Sequence, residues 1–230
     1  MENYNTSNIP AAQLDAQSRG TFIARTYNHL FAAIACFAII EIVLFKTGIA
    51  QPMAQAMLST SWLLVLGGFV VLSWIASSVA NRATSLPAQY MALAAYVVGE
   101  AIIFVPMLYL ADSFAPGAIS CAALVTFLGF SALTAVVFFT RKDFSFLRGI
   151  LMWGGIIAIV AIVAGVIFGF QLGTFFSVAM VGLAGASILY NTSNVLYRYP
   201  EDRYVAASLQ LFASVALLFW YVLRIFISRR

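Results

Sequence analysis

The stretch LRGILMWGGIIAIVAIVAGVIFGF, residues 147–170, carries one charge, Arg148, near its start and is apolar or glycine from there to its end. Wound as a helix it is about 36 Å long, enough to cross a hydrocarbon core of about 30 Å. Six more apolar runs lie at roughly 27–48, 62–80, 88–111, 117–140, 174–195 and 204–228, with short connections between them. Hydrophobic residues make up 63% of the 230 residues and charged ones 9%, far from the mix of a soluble domain. The sequence therefore predicts an all-α integral membrane protein. Residues 27–230 are expected to form a bundle of seven transmembrane helices.

Residues 1–26 are rich in Asn, Ser, Gln and Thr, with charges at Glu2, Asp15, Arg19 and Arg25. So little apolar content points to a flexible tail. Ala54-Gln55-Ala56 imitates a signal-peptide cleavage site. The run before it is longer than the apolar part of such a peptide, so the first run reads as a retained helix. Basic residues then set the orientation. With the N-terminus in the cytoplasm, that side holds Arg19, Arg25, Arg82, Arg141, Lys142, Arg148, Arg198 and Arg203, eight of the twelve. The far side holds Lys46, Arg224, Arg229 and Arg230. A re-entrant last segment would sharpen that bias. Residues 204–228 are nevertheless long enough to cross, with Arg224 snorkelling toward the far interface.

Several function classes fall away on chemistry. The net charge of +4 is scattered over helix ends, so no basic patch for nucleic acid is expected. Cys36 and Cys121 lie inside apolar runs and read as small hydrophobes rather than a disulfide framework. Asn5-Thr6-Ser7 and Asn191-Thr192-Ser193 match the glycosylation sequon, but one lies in the tail and the other at a helix end. The single histidine, His29, has no cysteine or carboxylate at ligand spacing, and reads as an interfacial residue rather than a metal ligand. No HExxH, phosphate-binding glycine loop or nucleotide fingerprint occurs. His29 has no serine in a GxSxG-like turn to serve as a hydrolase partner. A retinal protein would need a lysine inside the last helix, and both lysines, Lys46 and Lys142, lie at span ends or in loops. No catalytic residue, cofactor or metal is expected, and the chain is not read as an enzyme.

Inside the spans, Gly165-x-x-x-Gly169 and Gly182-x-x-x-Ala186 have the spacing that permits close helix approach. The last run carries Ala206, Ala207, Ser208, Gln210, Ala213, Ser214 and Ala216 around most of its circumference, which suits a helix buried among others. Two carboxylates lie within spans, Glu41 late in the first and Glu100 midway along the third. An ionised carboxylate there is costly. Each reads either as a proton or cation site or as a protonated acid bonded to a neighbouring helix. Pro106 follows Glu100 and frees a backbone carbonyl that a protonated carboxyl could satisfy.

The segments Thr140-Arg141-Lys142-Asp143-Phe144-Ser145-Phe146-Leu147, Ala184-Gly185-Ala186-Ser187-Ile188-Leu189-Tyr190-Asn191-Thr192-Ser193-Asn194 and Tyr204-Val205-Ala206-Ala207-Ser208-Leu209 together resemble the Bax-inhibitor (TMBIM) superfamily. The likeness runs over nearly the whole chain after Arg19 and is strongest toward the bacterial YccA-like branch. It implies a seven-helix bundle with a central last helix, in a bacterial inner membrane. It further implies a role in binding and modulating a membrane-anchored, ATP-dependent protease of the FtsH type, with Arg141, Lys142 and Asp143 as candidate cytoplasmic contacts. Calcium-leak members of the superfamily carry an aspartate near the end of the sixth helix and another in the seventh. Asn191 and Ser214 stand at the matching positions here, and neither titrates. Gln210 and Ser214, one turn apart, share a face and could bond Asn191. The candidate intramembrane polar site is thus Glu100, Glu41, Asn191, Gln210 and Ser214, and the alternative function is a cation or proton leak, such as a calcium leak, with an atypical sensor.

Overall fold

The computed structural model describes residues 9–82 and 85–229. Among these it places eight helices: α1 (Ala16–Lys46), α2 (Ala50–Ser59), α3 (Trp62–Arg82), α4 (Leu86–Phe114), α5 (Ala118–Thr140), α6 (Leu147–Phe168), α7 (Thr174–Tyr197) and α8 (Tyr204–Ser228). All but α2 are long and apolar enough to cross a membrane, seven in total. The chain is a helical integral membrane protein with seven spans. The last segment is one unbroken helix of 25 residues rather than a re-entrant loop.

Two elements depart from the expected boundaries. α1 begins at Ala16 instead of near Tyr27, because the Asp15 carboxylate caps it by accepting from the Gln17 and Ser18 amides at 2.9 and 3.1 Å. Phe22, Thr26 and Leu30 recur at helical spacing and bury one face of this early part. Just before it, Ala11 is fully buried and its N–H donates to the Tyr199 carbonyl at 2.9 Å, with Pro10 bridged to Pro200. The expected flexible tail is therefore folded against the connection between α7 and α8 from Pro10 onward, while its residues 1–8 lie outside the described ones. The second departure is α2, ten residues in a stretch expected to be a loop. It is too short to cross, and Ala50 and Ala54 bury against Val105 of α4.

α8 is the centre of the bundle. It packs on α1, α3, α4, α5 and α7, and Val205, Ala206, Ala207, Leu209, Leu211 and Leu223 along it are fully buried. Small side chains let the surrounding helices come close, where packing drives association in lipid. α6 stands outside this ring. It rests chiefly on α7 and meets α8 near Tyr221, where Ala158 and Met180 pack with it. Phe104 of α4 fixes the helices' relative height. Its ring stacks on Phe219 at 5.5 Å and meets Trp220 and Phe37 edge-on at 4.9 and 5.1 Å.

The two small-residue motifs do not make the helix contacts expected of them. Gly169 ends α6 with φ +73°, a left-handed conformation that glycine adopts freely. A Cβ on Gly165 would lie 3.1 Å from the Phe170 carbonyl, so this pair lets the chain fold back over its own helix end. A Cβ on Gly182 would meet nothing within 4 Å. The close approaches are elsewhere: Gly99 against Leu72 of α3, and Gly154 against Leu183 of α7, where a Cβ would come within 2.6 Å.

Candidate intramembrane polar site

Asn191 sits one turn after Ser187 on α7, and both face α8. The Asn191 amide donates to Ser214 Oγ at 2.8 Å and reaches Ser187 Oγ and the Gln210 carbonyl, each at 3.3 Å. Ser214 donates to the Gln210 carbonyl at 3.0 Å. Its single proton is thereby directed along its own helix, so Ser187 is the donor in the 2.8 Å contact between the two hydroxyls. Asn191 and Ser214 are 8% and 2% exposed, which also removes Asn191 as a glycosylation acceptor. The cluster consists of amide and hydroxyl groups, joins α7 to α8 and holds no carboxylate pair. Of Gln210 it uses the backbone. Ser187 is not among the expected site residues, although its spacing of four from Asn191 places it on the same helix face.

A cavity of about 950 Å³ opens from this cluster, and Asn191, Ser187, Gln210, Ser214, Glu100 and Tyr96 all line it. Tyr96 packs on Phe212 while Phe104 packs on Phe219 and Trp220, so Glu100, between them on α4, stands level with about Ala216. That is about 9 Å along α8 from Gln210. Glu100 is 5% exposed, and its near polar neighbour is the Tyr96 hydroxyl one turn earlier. At the cavity's far end Arg224, not among the expected site residues, donates to the Leu172 carbonyl at 2.9 Å.

Glu41 is not part of this constellation. It does not line the cavity, and one turn before it Phe37 points at Phe104 and Phe212. Glu41 is buried, and neither of its carboxyl oxygens has a hydrogen-bond partner.

At the C-terminal end of α7, just past Asn191, the loop after α5 is tied down by the helix it faces. The Arg141 carbonyl accepts from the Tyr197 hydroxyl, and Ser193 Oγ accepts from the Phe144 amide at 3.0 Å. Asp143 accepts from the Ser145 amide at 2.8 Å and pairs with Arg198 at 3.5 Å. The Ser145 N–H above all, with Ser145's side chain and Arg198, holds the Asp143 carboxyl below the usual carboxylate range. This contribution is present at neutral pH and is lost as the pH falls through that lowered value. Arg141 and Lys142 are exposed. His29 lies with Tyr90 and Tyr204, its Nε2 2.7 Å from the Tyr90 hydroxyl and its Nδ1 donating to the Arg25 carbonyl. Among the described residues no group of three or more His, Cys, Asp and Glu side chains could hold a metal ion.

Residues 19–230 match the family model described as "Inhibitor of apoptosis-promoting Bax1". The chain is 32% identical over 165 residues to the protein PA2604 of Pseudomonas aeruginosa, covering 70% of this chain and 72% of the relative. It is 29% identical over 171 residues to a protein of Escherichia coli K12 named "Modulator of FtsH protease YccA", covering 73% of this chain and 75% of that one.

Proposed function

The chain belongs to the Bax-inhibitor family, and from that premise we propose that it is a multi-pass inner-membrane protein that binds and modulates an FtsH-type, membrane-anchored ATP-dependent protease. The observation that carries this reading is the likeness, along about three quarters of both chains, to a relative named for that role. The geometry supplies a mechanism. An unfoldase must grip a segment outside the membrane before it can pull. Pulling on the residues before Pro10 would load the Ala11–Tyr199 contact, which is anchored at the entry to the enclosed helix α8. The protease would then be occupied by a bundle that resists extraction. Raised levels of the protein should lengthen the half-life of another membrane substrate of the protease, and the two proteins should co-purify from mild detergent. Unchanged half-lives without co-purification would end this reading.

The mechanism needs the N-terminus in the cytoplasm. In a variant with Cys36 and Cys121 replaced, an impermeant thiol reagent added from outside should label a cysteine placed after Arg230 and miss Ser145→Cys. The reverse pattern would invert the bundle.

A second reading, a cation leak, is favoured by one observation: Glu100, Asn191, Gln210 and Ser214 line a common cavity. Amide and hydroxyl side chains do not ionise near neutral pH, so calcium flux through the wild type in liposomes should show little pH dependence. Asn191→Asp with Ser214→Asp should create it, since two carboxyls at this separation share a proton. Strongly pH-gated flux in the wild type would favour the leak over the protease reading, with Glu100→Gln the variant to follow.

A further inference from the structure

The cavity beside α8 has a chemistry that the protease reading does not use. Its rim includes Leu58, Val166 and Phe170, each between 44% and 50% exposed, so its mouth presents apolar side chains. At about 950 Å³ it lies in the range of small-molecule sites, about 300–1,000 Å³. From Arg224 to Gln210 the floor of the cavity runs about 21 Å along α8, longer than the roughly 15 Å of acyl chain in one leaflet. Between those two polar ends the α8 side presents Trp220, Leu217 and Ala213, and α4 presents Phe104, Met107 and, level with about Ala216, Glu100.

Arg224 decides the polarity of the occupant. Its guanidinium carries five N–H donors, and the structure gives it the Leu172 carbonyl as acceptor. Among the described residues no carboxylate pairs with it. The Glu100 level is about 12 Å away along the helix. The Thr174 and Ser228 hydroxyls, 3.3 Å apart, line the same end. A partly buried cation without a counter-ion is costly in such surroundings, and a planar guanidinium matches a carboxylate in a bidentate fork.

We propose that this cavity binds a long-chain fatty acid, its carboxylate on Arg224 and its chain lying past Trp220 and Leu217 toward Gln210. The test uses the full-length protein in phosphatidylcholine nanodiscs and palmitic acid bearing a mid-chain diazirine. After irradiation, labels should map to the α8 and α4 cavity residues, such as Leu217 and Met107, and unlabelled palmitate should compete them away. The matching alcohol, which lacks the charge, should label these residues about tenfold less, as should palmitate with Arg224→Gln. Arg224→Lys should recover part of the loss, and Phe139→Ala, exposed on α5 and away from the cavity, should leave labelling unchanged. Thermal melts of each variant separate loss of binding from loss of fold. Equal labelling by acid and alcohol, or labels spread evenly over the lipid-facing sides of α5 and α6, would overturn the proposal. So would Arg224→Gln labelling at the wild-type level, or a diazirine phosphatidylglycerol outcompeting palmitate.

Discussion

Replacing Phe104 by Ala should cost the folded bundle about 2–4 kcal/mol. The ring is 1% exposed and touches α1 through Phe37 and α8 through Phe219 and Trp220. In a water-soluble core the loss would combine a transfer contribution with a cavity contribution. Inside a bilayer the transfer contribution largely vanishes, because lipid tails are as apolar as the core, and lost packing remains. That places the expectation at or below the soluble range. The control is Phe139→Ala, since Phe139 is 87% exposed, with an expected change within about 0.5 kcal/mol. Unfolding in mixed detergent micelles measures both. Equal stability of the two variants would show that Phe104 does not key α1, α4 and α8 together.

Ala11→Arg should make the protein a substrate of the protease it is proposed to restrain. Ala11 is fully buried beside the connection between α7 and α8, and an arginine has no room there. The segment before α1 would lift away and lengthen the stretch available to an unfoldase. The seven spans would stay packed, because this contact lies outside them. A change of one or two kcal/mol in local stability can shift abundance several-fold. The half-life of the variant should therefore fall several-fold in cells that hold the protease and stay unchanged in cells without it. Protection of a second substrate should fall in parallel. A variant that lives as long as the wild type and still protects would remove this contact from the mechanism.

The spans were legible because length and apolarity together are a strong signal, and the positions of α3 to α8 follow from it. α2 was hidden by its ten residues and by Gln51, Pro52 and Gln55. The early start of α1 was hidden by polar composition, although Phe22, Thr26 and Leu30 carry its buried face. The spacing of Gly165 and Gly169 suits a helix contact and a helix end equally well, and only the fold distinguishes them. In the site, Asn191, Gln210 and Ser214 could be paired because helix spacing and the family likeness pointed the same way. The meeting of Glu100 with that cluster in one cavity depends on the height of α4 against α8. Phe104, Phe212 and Phe219 set that height, and contacts between distant segments leave no local pattern.

The order of helices along the chain has a consequence for how the protein is made. α8 follows the other seven in synthesis, yet α1, α3, α4, α5 and α7 all lean on it. While the ribosome is still elongating, the earlier helices stand as a crescent around an unfilled slot. Asn191 on α7 has no Ser214 to bond, and Ile188 and Ala184, fully buried in the finished protein, have no helix to cover them. A chain halted before Tyr204 would leave the Asn191 amide only the Ser187 hydroxyl of its own helix as acceptor in the bilayer, where an under-satisfied polar group is costly. The arrival of α8 thus closes the bundle, and until then the faces it covers stay open.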